Sequence, residues 1–113
     1  MAYDKEFVEY AMDHLKMVAP VRSGRMFGCG GIWSDDHFIA LVDGKRLYMK
    51  VDDVNRADYE AAGSTPFTYG DPPRSVNLWE LPPGILNNPD ALASWVAKSL
   101  DAARRMSTKK KKK

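Results

Sequence analysis

The sequence predicts an α+β domain of two layers, an antiparallel sheet with helices packed on one face, in the order helix, four strands, helix, two strands, helix. Three observations predict it. Apolar residues recur at three- and four-residue spacing near both ends of the chain, as on the buried stripe of a helix. Between them lie short apolar segments separated by tight-turn residues, the pattern of hairpins. Clustered hairpins, in place of a regular strand–helix alternation, favour an antiparallel sheet with its helices segregated to one side.

The first helix carries Phe7, Val8, Ala11, Met12, Leu15 and Val18 on one stripe, with Asp4 as its cap and Ala19-Pro20 as its stop. Strands are expected over residues 25–27, 31–33, 38–42 and 46–51. Asp43-Gly44 separates the last two and signals a hairpin, because glycine accepts the positive φ of a tight turn. In LYMKV, Leu47, Met49 and Val51 alternate with Tyr48 and Lys50, so one set faces a core. Asp52 or Asp53 is expected to cap a short helix over 55–62, with Gly63 as its left-handed stop. Two further strands, 67–69 and 76–81, are joined by GDPPR, whose prolines exclude ladder hydrogen bonds. Asn88-Pro89-Asp90 then opens the last helix: a cap, a proline in the first helical position and an acid at the positive end of the dipole. Its buried stripe is Leu92, Trp95, Val96, Ser99, Leu100 and Ala103.

At 113 residues, 44% apolar and 28% charged, the chain has the size and make-up of one globular domain. Asp4 and Glu6 stand where a secretory leader would be basic, and no apolar run approaches the roughly 20 residues of a membrane span, so a cytoplasmic protein is expected. The formal charge of +2 hides a division: residues 109–113 supply five of the 17 basic residues, leaving twelve against 15 acids elsewhere. The domain itself is mildly acidic. Residues 106–113 are expected to form a disordered basic tail, since they have nothing to bury.

Residues 21–33 read VRSGRMFGCGGIW and raise three chemical options. A phosphate cradle would need Gly-Lys-Ser or Gly-Lys-Thr, or a spaced-glycine turn, opening a helix; here Ile32-Trp33 continues as a strand. Cys29 on a glycine turn could serve as a nucleophile if His14 or His37 came near, but no base or orienting acid lies beside it. The favoured reading is a bend between strands, with both histidines in solvent. One cysteine forms no internal disulfide, and with two histidines gives no zinc cluster. Asp35-Asp36 and Asp52-Asp53 fit turn hydrogen bonding better than cation binding.

The residues left for contacts are Arg22, Arg25, Phe27, Gly28, Tyr48 and Lys50, which fit an interaction surface. Arg22 and Arg25 read as a solvated strand edge. Trp33, Trp79 and Trp95, with Tyr48, Tyr59, Phe67 and Tyr69, could form a stacking platform for single-stranded nucleic acid, but their sequence neighbours are mostly acidic or small, so packing is preferred. Lys98, Arg104, Arg105 and the lysine tail could make weak, salt-sensitive contacts with nucleic acid. A one-faced sheet is compatible with homodimerisation.

RMFGCGGIW, FIALVDGKRLYMKVDDVNRADYEAAGSTPFTYG and NLWELPPGILNNPDALASWVAKSLDAAR together resemble the TfoX N-terminal domain family, over residues 7–105. The most specific parts are RMFG, LYMKVD, Asn55-Arg56, PFTY and WELP. Cys29 and Gly30 depart from the pattern, which commonly has a glycine and often an aromatic at these positions. The resemblance implies a two-layer α+β fold with no known catalytic residues and no cofactor. It implies a role in transcriptional control of DNA-uptake genes alongside a cyclic-AMP receptor protein, in longer chains with a second domain. The expectation is therefore a stand-alone, non-enzymatic interaction module whose partner is another protein, either a regulator or the transcription machinery.

Overall fold

The computed structural model describes residues 3–26, 28–70 and 74–111, of which 74, 75 and 107–111 by their backbone alone. Helix α1 (Lys5–Leu15) opens as expected, the Asp4 carboxylate accepting the Phe7 amide at 2.9 Å and so pairing one of the amides that a helix start leaves bare. It closes before Val18 because the Met17 and Val18 amides bond to carbonyls three residues back, a tightening that ends the helix ahead of Pro20. Val8, Ala11, Met12 and Leu15 are its buried stripe.

Four strands follow as a meander: β1 (Arg22–Met26), β2 (Cys29–Ser34), β3 (His37–Asp43) and β4 (Arg46–Lys50). Asp35 and Asp36, with φ of 51° and 63°, form the two-residue turn between β2 and β3; short polar side chains tolerate this region, as the turn-chemistry reading requires. Between β3 and β4 the two turn residues are Gly44-Lys45, with Gly44 at φ 60°. Helix α2 (Arg56–Ala61) then leads to β5 (Pro66–Tyr69), β6 (Arg74–Glu80) and helix α3 (Pro89–Lys111). The six strands form one antiparallel sheet in the order β1-β2-β3-β4-β6-β5.

Asn55, not Asp52 or Asp53, sits at the start of α2, and its side chain makes no cap bond there. It turns back to β4, donating to the Lys50 carbonyl at 3.2 Å and accepting the Asp52 amide at 2.8 Å. Gly63 supplies the expected stop at φ 76°. Asn88 caps α3 through the Ala91 amide at 3.2 Å. The backbone of α3 is helical through Lys111, past the boundary expected after Arg105. Extending an existing helix costs little, lysine is a good helix former, and cations suit the negative end of the helix dipole. The GDPPR turn falls on residues 71–73 and lies outside the described residues.

All three helices pack on one face of the sheet, where α1, α3 and Tyr59 of α2 meet Ile32, Ile39, Ala40, Val42, Leu47, Met49 and Val51. Burial pushes the Tyr59 phenol up to about 12, with the hydroxyl 3.5 Å from that of Ser99. Trp95 packs edge-on against the Tyr59 ring at 4.7 Å and is half-buried. The glycines of β2 are explained by close approach. A Cβ on Gly30 would lie 2.8 Å from Val8 of α1, and one on Gly31 would lie 2.7 Å from the Trp33 ring on the opposite face.

Gly30→Ala is expected to destabilise the domain by about 1–3 kcal/mol, because α1 must move off the sheet. Gly31→Ala is expected to cost less, since the half-exposed indole can swing away. Urea unfolding midpoints of the two variants check the order, and tryptophan emission reports the indole shift.

Candidate functional site

Side chains on the sheet face away from the helices belong to strands alone. Cys29, Leu41, Tyr48, Phe67 and Leu78 are buried there against one another, with Phe38 and Val76 beside them. Strand geometry accounts for this second apolar face: Tyr48 alternates with the core residues Leu47 and Met49, and Leu41 with Ala40 and Val42. A pairing irregularity strengthens it, because Pro66 opposes Trp79 while Thr68 opposes Ser75, so that Val76, Asn77 and Leu78 together face Phe67 alone. The result is a cavity of about 460 Å³. Met26 and Cys29 form its wall at the β1–β2 hairpin, and Phe38 and Leu41 its wall on β3. The bulged pair of strands supplies the rest through Phe67, Tyr69, Val76 and Leu78.

Cations and rings alternate across one end of this face. Arg22 of β1 lies with its guanidinium carbon 5.0 Å from the Trp33 ring of β2, Trp33 meets Phe38 of β3 edge-on at 5.6 Å, and Lys50 Nζ of β4 stands 5.1 Å from the Phe38 ring. Tyr48 packs edge-on against Phe67 at 5.1 Å. Arg46 lies 3.7 Å from Glu80, the residue opposite Tyr48.

Of the six expected interaction residues, Arg22, Tyr48 and Lys50 therefore share this face. Arg25 goes to the helical side, its guanidinium 4.1 Å from the Tyr3 ring, because it pairs with Gly30, which faces α1. Gly28 is the exposed hairpin turn at φ 76°. Phe27 lies outside the described residues.

Cys29 has no accessible surface. It is the first residue of β2 and a wall of the cavity, in contrast to an exposed thiol on the glycine turn. His14 and His37 are half-buried, in contrast to the solvent positions expected of them. The His14 ring packs 4.6 Å from that of Tyr10, and its Nδ1 is buried without a hydrogen-bond partner. Among the described residues no group of three or more His, Cys, Asp or Glu side chains could hold a metal ion. No helix there is long and apolar enough to cross a membrane.

The three α3 residues expected at a nucleic-acid contact each meet an aspartate. Lys98 reaches Asp58 at 2.9 Å and Arg104 reaches Asp35 at 3.0 Å. Arg105 grips Asp52 with two bonds, Nε to Oδ2 at 2.6 Å and Nη2 to Oδ1 at 2.9 Å. That pair joins α3 to the end of β4, where Asp52 also accepts the Val54 amide at 3.0 Å.

A match to the TfoX N-terminal domain spans residues 13–103. The chain belongs to the TfoX N-terminal domain family. No curated protein matches it. In this TfoX N-terminal domain the cavity walls were not singled out from the sequence, although a signal existed. FIALV lacks polar alternation, the mark of a strand whose two faces are both apolar. The cation–ring row left no local trace, since its members come from four strands.

The Arg105 bond, seconded by the Val54 and Asn55 amides, lowers the Asp52 carboxyl from its ordinary 3.8 to about 2. A carboxyl that is more acidic when folded stabilises the fold above its unfolded pKa, and this contribution is lost as pH falls through the folded value. The melting temperature should therefore fall from about pH 4 toward pH 2. Asp52→Asn should lower it at neutral pH and flatten that acid limb, measured by circular dichroism.

Proposed function

We propose that this domain is a non-enzymatic interaction module of the cytoplasm, acting in competence-type transcriptional control through contact with another protein. The observation that carries the reading is the apolar sheet face opposite the helices, with Arg22 and Lys50 seated on its rings. A contiguous apolar surface rimmed by polar groups is the usual form of a protein-docking site. Family membership supports the regulatory side of the proposal, as the named members of the family act on DNA-uptake genes. The ion pairs of Lys98, Arg104 and Arg105 favour protein contact over direct nucleic-acid binding, because a cation held by a carboxylate is less available to a phosphate. The burial of Cys29 favours a non-catalytic reading, since a nucleophile must be reached by its substrate.

The test is a strain carrying Arg22→Glu with Lys50→Glu, compared with wild type and with a deletion. The double variant should fold normally, lose the partner that co-purifies with wild type, and reproduce the transcript changes of the deletion. Unchanged transcripts in the deletion would sink the regulatory role. Duplex DNA retained equally at low and high salt by a chain truncated after Arg105 would sink the protein-contact reading.

A further inference from the structure

We propose that the cavity on the uncovered sheet face is a binding site for a small anionic amphiphile, an unbranched apolar body ending in one carboxylate or similar group. The inference goes beyond the interaction module and stands with or without a protein partner.

The volume of about 460 Å³ is in the roughly 300–1,000 Å³ range of small-molecule sites. Its walls are two aromatic rings, a phenol, three aliphatic side chains and two sulfur-bearing ones, which offer a ligand packing and few hydrogen bonds. A polar molecule would be stripped of water there without compensation. Lipid-like methylenes lose nothing by entering. The body of the ligand is thus set by the walls.

The head is set by one end of the cavity. Lys50 stands on the ring of Phe38, a wall residue, and pairs in register with Leu78, another wall residue. Its ammonium group is therefore next to the cavity and not out along the sheet. Arg22 stands at the far end of the same row, on the Trp33 ring and 3.9 Å from Asp36. Glu80, the acid opposite Tyr48, lies 3.7 Å from Arg46. An anion placed at this end meets the Lys50 ammonium on the Phe38 ring. An ammonium head would be repelled.

Decanoate, decanol and decylamine, each below its micelle concentration, separate the body from the head. The readout is amide shift perturbation in nitrogen-edited NMR spectra of the full chain. Decanoate should saturate at one equivalent, with the largest shifts at Cys29, Leu41 and Leu78. Decanol should bind about tenfold more weakly and decylamine more weakly still, the loss expected of one charge-assisted contact. Lys50→Met keeps the aliphatic stem over Phe38 and should erase the difference between acid and alcohol without lowering the melting temperature. Val76→Trp, at a half-buried wall position, should abolish both. The proposal is overturned if decanoate gives no saturable shifts, if the shifts map to the helical face, or if the amine binds as well as the acid. It is equally overturned if the protein sediments with phosphatidylglycerol vesicles yet ignores free decanoate, since the face would then be a membrane contact.

Discussion

An antiparallel sheet with apolar side chains on both faces must hide both from water, and the helices of this chain reach only one. Three helices fill the side built on Ile32, Val42, Leu47 and Met49. The other side shelters itself by bringing Leu41, Tyr48, Phe67 and Leu78 together across four strands. Burial by mutual packing is the cheapest cover a bare sheet can make, and it leaves a concave patch where the rings and aliphatic groups do not meet. The fold's open surface is a consequence of how its closed one is built.

Close approach on the covered side is what permits this division. With no side chain at Gly30, α1 lies directly on β2, and its neighbour Gly31 lets the Trp33 indole lie down on the reverse face. Electrostatics then fix the far end of the molecule. Arg105 clamps Asp52 at the exit of β4, Asn55 ties the following turn to the same strand, and α3 is held by further contacts with Asp58 of α2 and Asp35 of the β2–β3 turn. Lys98, Arg104 and Arg105, part of a basic arm in the linear sequence, are each paired in this way with an aspartate of the domain.

The order of elements was legible because each rests on local chemistry: Asp4 and Asn88 as caps, Gly63 as a stop, Asp35-Asp36 and Gly44 at turns. Boundaries shifted where partners outside the helix decided them, as when Asn55 gave its side chain to the end of β4 and made no cap bond to α2. The candidate site was half legible. Tyr48 and Lys50 follow from strand alternation, and Arg22 from its edge position. The cavity did not, because it depends on a mismatch between β5 and β6 that no single segment encodes. Arg25 could not be told from Arg22 without knowing which face of β1 meets α1.

That mismatch has a bearing on how such a domain diversifies. Three residues of β6 stand opposite one of β5; two of them, Val76 and Leu78, wall the cavity, while the flanking Trp79 and Leu81 belong to the helical core. Because β5 is the edge strand, a residue added to it opposite this wall would narrow the chamber while β6 kept its pairing with β4. The size of the chamber is thus set at the edge of the sheet, away from the packing of the helices.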